Sequence, residues 1–362
     1  MPENYTDQKW MRHALNLARR AWGQTHPNPL VGAVIVESDA VVAEGWHRAD
    51  GAAHAEVEAL NELGRAPAKD ATLYVTLEPC STHGRTGACT SAILEAGFRR
   101  VVIGADDPNP VHAGKGLQIL RAAGVEVVNG VLAAESTDLN LIFKHWITQK
   151  TPLIAAKIAT TGEGEFAPSE REARWVTGAE ARLDVMRWRQ YFPAIGVSAN
   201  TALSDDPALT VRQASLPEQS PRRFVFDRNL KTAKALKDLK IFKDAFVEAT
   251  IVVCAPGING VAAYNERGTT LWELPHPDGR LDWAAFRERC VEEELYGIYL
   301  EPGPTLSAAL LAQGEVDYLF HYIAPGASPE ASPYTLTGPY QLEDLRKENH
   351  GVDQLVRGWL TK

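Results

Sequence analysis

Three residues that can bind zinc, His54, Cys80 and Cys89, each stand at the boundary of a predicted helix or strand. His54 follows a loop and opens an apolar-periodic run that ends at Gly64, which predicts a helix with its amino end at the histidine. Residues 72–77 are β-branched and apolar, and they predict a strand that leads into Cys80. Cys89 opens a second helical run. A chain that joins these three residues must therefore alternate strands with helices and bring their ends to one edge of a sheet.

This set of donors indicates a catalytic zinc site rather than a structural one. One imidazole and two thiolates leave one of the four zinc positions open, and we find no fourth protein ligand in the sequence. Glu56 lies two residues after His54, in the first turn of the predicted helix, where it can relay protons. Zinc deaminases of nucleobases combine these parts to activate water for attack on an amino-bearing ring carbon. Taken singly, the cysteines are more simply core thiols, so the hypothesis depends on the joint arrangement.

Composition limits the other classes of function. The 362 residues are enough for two domains, and 45% hydrophobic with 23% charged residues is typical of a soluble globular protein. No apolar run is long enough to span a membrane, and the polar start does not indicate a signal peptide. Four cysteines, two of them assigned to zinc, favour a reducing cytoplasm. A net charge of −9 without a basic stripe is unfavourable for a nucleic-acid partner.

Strands and helices alternate along both halves, and Pro152 marks a plausible boundary between a domain over residues 1–148 and one over residues 152–362. The first half ends in what the pattern predicts to be one helix, residues 135–148. In the second half, strands are predicted at residues 153–159, 194–198, 224–226, 249–253 and 298–300, and helices at residues 179–189 and 306–312. The sequence thus predicts an α/β sandwich followed by a second α/β unit, which lacks a G-x-G-x-x-G motif.

With these pieces in order, the chain resembles the bifunctional riboflavin-biosynthesis deaminase/reductase family over nearly its whole length. The first half carries the more specific segments: His26-Pro27-Asn28-Pro29, Val31-Gly32, Gly45-Trp46-His47, His54-Ala55-Glu56, Leu77-Glu78-Pro79-Cys80-Ser81, Gly84-Arg85-Thr86, Cys89 and Asp107-Pro108-Asn109-Pro110. The second half matches less closely, at Lys157, Trp175-Val176-Thr177, Ala181-Arg182, Asp205-Asp206-Pro207, Arg212, Glu301 and Gly303-Pro304-Thr305. The resemblance implies a cytidine-deaminase-like αβα sandwich joined to a dihydrofolate-reductase-like α/β domain.

The resemblance also implies roles for individual residues. Zinc would be bound by His54, Cys80 and Cys89, with Glu56 as the proton shuttle. The residues expected around a pyrimidine ribosyl phosphate are Asn28, His47, Ser81, Arg85, Thr86, Asp107 and Asn109. In an NADPH-dependent second domain, Lys157, Asp205 and Glu301 would form the reaction centre, Trp175, Arg182 and Arg212 would bind the substrate, and Thr177, Gly303 and Thr305 would bind the cofactor. By analogy with the family, a homodimer or homotetramer is expected to form through the reductase domain.

The chain departs from the family pattern at several loops. Thr82 stands where a histidine is usual after Cys-Ser, and Gly87-Ala88 replaces a proline pair. In the second half, Glu165 stands where the family has a basic residue, residues 197–201 contain no glycine, and Pro302 removes an N–H donor. Added acid and lost donors weaken the binding of phosphate, so these changes put the reductase activity in question.

Four interpretations follow from the sequence. The first is a deaminase and reductase of a riboflavin-type pathway, and the second is a deaminase with a silent or repurposed second domain in a related pteridine or azapteridine (toxoflavin-type) pathway. A deaminase of nucleic acids or free nucleosides is less favoured, because such enzymes usually separate their two cysteines by two residues and here eight intervene. A non-catalytic zinc scaffold is disfavoured by Glu56, since a structural metal needs no proton shuttle.

Overall fold

The chain forms two compact units, Met1–Lys150 and Thr151–Lys362, in a computed structural model that describes residues 5–82, 87–166, 176–212, 218–326 and 340–361. Both units are mixed α/β structures. Among the residues described, no helix is both long and apolar enough to cross a membrane.

The first unit is built on a five-stranded sheet with the order β2-β1-β3-β4-β5. Strand β1 pairs antiparallel with β2 and β3, whereas β3, β4 and β5 are parallel. The elements are α1 (Tyr5–Ala18), β1 (Gly32–Glu37), β2 (Ala40–Trp46), α2 (Ala55–Leu63), β3 (Thr72–Leu77), α3 (Cys89–Ala96), β4 (Arg100–Ala105), α4 (Lys115–Ala122), β5 (Glu126–Asn129), α5 (Ala133–Asp138) and α6 (Leu141–Gln149). Parallel strands connected by helices are the arrangement predicted from the sequence.

Close packing of α2 on β2 sets the position of the zinc-binding edge. A Cβ atom at Gly45 would lie 2.2 Å from the carbonyl oxygen of Ala55 and 2.5 Å from the amide nitrogen of Ala59, so only glycine allows this approach. His54 is the N-cap of α2, with an extended backbone, and Gly64 ends the helix in the left-handed conformation. This contact therefore fixes the position of the amino end of α2 relative to β2.

The single helix predicted over residues 135–148 is wrong, because the structure has two helices, α5 and α6, that are interrupted at Asn140. The backbone of Asn140 is non-helical, with φ −119° and ψ 35°. Its side chain accepts a hydrogen bond from the amide of Leu30 at 2.7 Å and donates one to the carbonyl of the same residue at 3.0 Å. An asparagine side chain that pairs with distant backbone competes with the helix, and here it ends α5.

The second unit contains a nine-stranded sheet with the order β10-β9-β8-β7-β11-β6-β12-β14-β13. Strands β10 to β12 in this order are parallel, and β12, β14 and β13 are antiparallel. The elements are β6 (Leu153–Thr161), α7 (Ala179–Tyr191), β7 (Ala194–Ser198), α8 (Ala199–Asp205), β8 (Arg222–Phe226), β9 (Thr250–Cys254), α9 (Val261–Asn265), β10 (Thr270–Glu273), α10 (Trp283–Glu292), β11 (Gly297–Leu300), α11 (Pro304–Ala312), β12 (Tyr318–Ala324), β13 (Leu342–His350) and β14 (Asp353–Leu360).

The predicted α/β class is confirmed for this unit too, although the sequence analysis assigned no strand after β11. The register places the end of β11 beside the middle of β6, with Leu300 opposite Ala156. Glu301, which follows β11, is therefore brought next to Lys157. Parallel strands put such residues at their shared carboxyl edge, where ligands bind in open α/β sheets.

Candidate zinc centre and second active site

The structure brings His54, Cys80 and Cys89 together at the carboxyl edge of β3. Their ligand atoms lie within 4.8 Å of one another. His54 Nδ1 is 3.1 Å from Cys89 Sγ and 3.6 Å from Cys80 Sγ. Zinc at the usual ligand distances and tetrahedral angles separates nitrogen from sulfur by about 3.5 Å. The three residues therefore fit a zinc ion with three protein ligands.

Two helix amino ends point at this cluster, because His54 precedes α2 and Cys89 begins α3. The amide of Cys89 donates to Cys80 Sγ at 3.3 Å. Hydrogen bonds from the Cys89 thiol and from His54, together with that amide, lower the pKa of Cys80 to about 4 despite partial burial. Positive helix ends and N–H donors favour a thiolate, which is the form that binds metal.

Glu56 lies in the first turn of α2 and is almost fully buried, with 3% of its surface exposed. Burial raises the pKa of its carboxyl group to about 7, the thiolate of Cys80 acts in the same direction, and the helix amide and His54 oppose the rise. A carboxyl group with a pKa near neutrality can accept and release a proton. A bound divalent cation adds positive charge beside it and brings this pKa down.

Asn28 and His47, two of the predicted pyrimidine-binding residues, lie beside the cluster. The rings of His47 and His54 are 5.8 Å apart, edge to face. Asn28 Nδ2 is 3.4 Å from His47 Nε2 and donates to Asp50 Oδ1 at 2.7 Å. His47 Nδ1 lies 3.0 Å from the carbonyl oxygen of Ala53, and burial lowers the pKa of the His47 ring. These contacts fix both side chains at the approach to the zinc ligands.

A buried carboxylate that the sequence analysis did not single out, Glu78, holds the loop on the other side of the cluster. Its Oε2 accepts hydrogen bonds from the amides of Asp107 at 3.2 Å and Gly114 at 2.9 Å. Its Oε1 accepts one from the amide of Gly116 at 2.8 Å. Since Glu78 lies two residues before Cys80, the strand that carries a zinc ligand also anchors the loop that carries Asp107.

Within that loop, Asp107 accepts a hydrogen bond from the amide of Asn109 at 2.8 Å, and Asn109 accepts one from the amide of Val111 at 3.0 Å. Burial raises the pKa of Asp107. Ser81 is half-buried next to Cys80. Arg85 and Thr86, which the resemblance associates with the substrate, lie outside the described residues, as does Trp175.

In the second unit, Lys157 in the middle of β6 lies beside Glu301, which follows the carboxyl end of β11. Burial lowers the pKa of Lys157, and the negative charge of Glu301 partly offsets this lowering. Glu301 forms a two-pronged ion pair with Arg189 of α7, with Nε–Oε1 at 2.6 Å and Nη2–Oε2 at 2.8 Å. Asp205, the third residue predicted at this centre, is exposed at the end of α8 and accepts a hydrogen bond from Ser204.

The remaining predicted residues of the second unit have mixed surroundings. Arg182 donates to the carbonyl oxygen of Thr177 at 2.7 Å, and Thr177 is buried just before α7. Arg212 is exposed and, among the described residues, has no hydrogen bond or ion pair. Gly303 is the N-cap of α11, and a Cβ atom there would lie 2.9 Å from Thr201 Oγ1. Thr305 is exposed in the first turn of α11.

Arg189 was also not predicted, although the sequence contains a signal for it. Asp184, Val185, Trp188 and Arg189 share the buried face of α7. Charged residues at core-facing positions of a helix indicate a buried partner, because an unpaired buried charge is costly.

Fold and site define a class for each unit: the first is a zinc-dependent deaminase and the second a reductase domain. Residues 4–105 match the family of the cytidine and deoxycytidylate deaminase zinc-binding region, and residues 152–360 match the RibD C-terminal domain. The riboflavin biosynthesis protein RibD of Escherichia coli (strain K12) is 40% identical over 328 residues, which is 88% of each chain. That of Aquifex aeolicus (strain VF5) is 36% identical over 356 residues, which is 97% of each chain. The chain belongs to the RibD family, whose members are enzymes of riboflavin biosynthesis that combine a deaminase with a reductase.

Solved structures of the family agree over the full length. Acinetobacter baumannii RibD superposes with a TM-score of 0.73 at 31% identity, covering 99% of both chains. The diaminohydroxyphosphoribosylaminopyrimidine deaminase/5-amino-6-(5-phosphoribosylamino)uracil reductase of Thermotoga maritima superposes with a TM-score of 0.74 at 29% identity, covering 98% of both chains. The predicted family and its two activities are confirmed.

Proposed function

We propose that the first unit deaminates a diaminopyrimidine that carries a ribosyl phosphate, and that the second unit reduces the ribosyl group of the product with NADPH. The observation that carries this proposal is the convergence of His54, Cys80 and Cys89 with the buried carboxyl group of Glu56. The substrate class is supported by the Thermotoga maritima relative, whose name states both pyrimidine substrates. A riboflavin-type pathway is favoured over a toxoflavin-type one, because the relatives reported above are riboflavin enzymes along both units.

In the deaminase site, bound zinc supplies the activation of a water molecule as nucleophile. Glu56 then accepts a proton at its carboxylate and returns it to the departing ammonia, which requires a carboxyl group that exchanges protons near neutral pH. Its burial excludes bulk water from that exchange. Glu56 is the second residue of α2, and His54 is the N-cap of the same helix. The helix backbone therefore holds the carboxylate at a fixed position relative to the zinc ligand.

The pyrimidine is proposed to lie between the two loops that flank the zinc ligands. Asn28 and His47 offer an amide and a ring nitrogen from one side, and Asp107 and Asn109 offer polar groups from the other. An amide can donate to and accept from the edge of a pyrimidine. We assign Ser81, Arg85 and Thr86 to the ribosyl phosphate, since hydroxyl and guanidinium groups suit phosphate oxygens.

In the reductase site, the half-buried Lys157 is proposed to contact the reacting part of the sugar, with Glu301 as a fixed negative charge and Asp205 at the rim. Trp175, Arg182 and Arg212 are proposed to bind the substrate. Gly303 is the N-cap of α11, and the backbone N–H groups at the amino end of this helix suit the phosphates of a dinucleotide. NADPH would be bound there by Thr177, Gly303 and Thr305, and it supplies the hydride.

The loop departures lie outside the residues proposed at the reaction centre, Lys157, Asp205 and Glu301. Glu163 is exposed and Glu165 half-buried in a turn after β6 that is closed by the amide of Gly164 bonding to the carbonyl of Thr161 at 3.0 Å. Residues 197–201, which lack the usual glycine, run from the end of β7 into α8, where the N-cap Ser198 accepts a hydrogen bond from the amide of Thr201. The ion pair between Glu301 and Arg189, beside Lys157, is intact.

We further propose that the chain acts in the cytoplasm as a homodimer or homotetramer assembled through the second unit. Four cysteines without a disulfide are consistent with a reducing compartment. The assembly rests on the resemblance to the family alone, and its test is the mass of the intact particle by light scattering.

To test the proposed function, the zinc-loaded protein is incubated with the diaminopyrimidine ribosyl phosphate and NADPH. The product is identified by mass spectrometry, and NADPH consumption is followed by its absorbance. A product that has lost an amino group and gained a reduced side chain, with NADPH consumed, is the expected result. A deaminated product with an intact ribosyl group would mean that the second unit is silent or repurposed. An unchanged pyrimidine would contradict the assignment of the first unit.

A further inference from the structure

Between β8 and β9 a lysine stands at every third position from residue 231 to residue 243: Lys231, Lys234, Lys237, Lys240 and Lys243. This segment begins and ends in short 3₁₀ helices, Lys231–Ala235 and Lys240–Phe242. Side chains three residues apart lie above one another in a 3₁₀ helix. All five lysines are exposed. Positive charge is therefore concentrated on this part of the surface, although the chain as a whole has a net charge of −9.

Three of these lysines, Lys234, Lys237 and Lys243, line a cavity of about 790 Å³. Arg267, which follows α9, contributes a fourth basic side chain to the same cavity. Cavities of about 300–1,000 Å³ accommodate small molecules and cofactors. None of the described residues assigned to the two active sites lines this one. The cavity is therefore a candidate binding site separate from both reaction centres.

The four basic side chains of the cavity form no ion pair and no side-chain hydrogen bond among the described residues. By contrast, Lys240, which lies outside the cavity, pairs with Asp206 at 3.2 Å. Asp238 and Glu266 also line the cavity, and within the described parts of the chain neither pairs with a cation. Grouped like charges repel one another, and a bound anion offsets that repulsion. The excess of positive charge therefore favours an anionic ligand.

The floor of the cavity is apolar. Phe242 and Leu236 are 1% and 5% exposed, and Val247 adds to the apolar lining. The ring of Phe242 packs edge to face on that of Tyr264, with 5.6 Å between the centroids. The hydroxyl group of Tyr264 lies 2.9 Å from Thr232 Oγ1. These contacts fix the floor, which suits the ring of a ligand better than it suits a bare ion.

We propose that this cavity binds a small molecule in which an aromatic ring is joined to a phosphate group, the chemistry shared by flavin and purine mononucleotides. A phosphate monoester carries a charge of about −1.5 to −2 at pH 7, which matches the excess of positive charge. Lysine ammonium groups and the guanidinium of Arg267 can donate hydrogen bonds to its oxygens. The ring would pack on Phe242 and Leu236. A ligand bound there leaves the zinc ligands and Lys157 accessible.

The first experiment compares ligands with and without the phosphate on the zinc-loaded full chain. Flavin mononucleotide and riboflavin share one ring system, and their binding is read by fluorescence anisotropy. AMP and adenosine form the corresponding purine pair, read by calorimetry. At least one of the two phosphates should bind, about 10-fold more tightly than its nucleoside, because only the phosphate engages the cations. The two pairs together show whether the site takes a flavin, a purine or both.

The second experiment locates the bound ligand with three variants. Replacing two rim cations in Lys237→Gln/Lys243→Gln should weaken binding of the phosphate about 10-fold and leave that of the nucleoside unchanged. Ala263→Trp, at an exposed position of α9 that lines the cavity, keeps every cation but fills the space, so it should abolish binding of both. Lys231→Gln, in the same row but outside the cavity, is the matched control and should bind as the wild type does. Deamination and the urea midpoint should be the same in all variants.

Three results would overturn the inference. One is that neither flavin mononucleotide nor AMP binds. Another is binding that is the same in the wild type, in Lys237→Gln/Lys243→Gln and in Ala263→Trp, which would place the ligand elsewhere on the chain. The third is a short RNA that binds through these lysines when neither mononucleotide does, which would assign the cations to a nucleic acid. None of these measurements depends on turnover by either unit.

Discussion

Each unit places a glutamate of low exposure at the carboxyl edge of its parallel strands, but the two glutamates have opposite electrostatic surroundings. Glu56 has no arginine or lysine partner among the described residues, and burial raises its pKa to about 7. The side chain of Glu301 is 16% exposed and lies against the guanidinium of Arg189, whose charge and hydrogen bonds outweigh the effect of burial and lower the pKa of Glu301. One side chain is therefore ready to exchange protons, whereas the other remains a fixed negative charge.

The difference shows where each unit keeps its positive charge. In the second unit the cation is part of the chain, 112 residues from its partner and locked by two hydrogen bonds. In the first unit the positive charge comes with zinc, whose ligands His54, Cys80 and Cys89 surround the carboxyl group. The pKa of Glu56 therefore depends on whether metal is bound, whereas that of Glu301 is set by a residue of the chain.

The largest effect expected from this comparison is that of Glu56→Gln. The amide keeps the shape of the side chain but cannot relay a proton, so deamination should fall about 1,000-fold. Zinc content, measured by plasma mass spectrometry, should stay at the wild-type level, and reduction of the deaminated pyrimidine should be unaffected. Glu58→Gln, on the same helix, is the matched control and should retain deamination. Deamination by Glu56→Gln at the wild-type rate would remove the carboxylate from the mechanism.

A smaller effect is expected from Glu78→Gln. This substitution tests whether Glu78 holds the loop that carries Asp107, and leaves the zinc ligands and Glu56 unchanged. The amide group of glutamine would point N–H donors at the amides of Asp107, Gly114 or Gly116, which now bond to a carboxylate. Hydrogen bonds to a charged group contribute about 1.5–3 kcal/mol, so KM for the pyrimidine should rise about 10-fold to 100-fold.

The contrast between KM and kcat separates this role from that of Glu56. In Glu78→Gln, kcat should change little and zinc should be retained, since the ligands are untouched. Glu95→Gln, which replaces an exposed carboxylate of α3, should match the wild type in both parameters. A fall in kcat alone would mean that Glu78 takes part in the reaction instead of holding the loop.

How far the sequence predicts each site follows from the distance between partners along the chain. Glu56 and His54 share one helical turn, and Cys80 directly follows a strand, so local patterns place them. The donors to Glu78 come from a loop about thirty residues later, and no local pattern links the two. The pair of Arg189 and Glu301 depends on β7, β11 and β6 being neighbours, which is a property of sheet order.

The same reasoning explains the errors in the fold. The helix predicted over residues 135–148 is interrupted because Asn140 pairs with Leu30, 110 residues away. The only buried residue of α5 is Ser136, whereas α6 buries Leu141 and Ile142, so an apolar pattern is too short across the break to reveal the interruption. Strand β13 is mostly polar and exposed, and β14 buries the charged residues Asp353 and Arg357, so neither shows the usual alternation of apolar and polar residues.

The smallest expected effect is a pH dependence of stability in the second unit, due to a buried histidine. His321 of β12 lies 2.8 Å from Thr160 Oγ1 and also bonds to Tyr340, and burial lowers its pKa to about 4. Below its ordinary value of 6.5, the unfolded chain binds a proton that the folded chain does not. Stability is therefore complete above pH 6.5 and falls as the pH drops toward 4.

Between pH 7 and pH 5.5 this difference amounts to about 1 kcal/mol. We expect the free energy of unfolding of the second unit to fall by this amount in the wild type relative to His321→Gln. It is obtained from urea unfolding by pulse proteolysis, with peptides assigned by mass. The first unit of the same molecules serves as the control. An identical pH dependence in both proteins would assign the acid sensitivity to other groups. The contrast between Glu56 and Glu301 does not depend on His321. Burial favours the neutral form of a titratable group, as it does for Glu56, and a nearby opposite charge reverses the shift, as Arg189 does for Glu301.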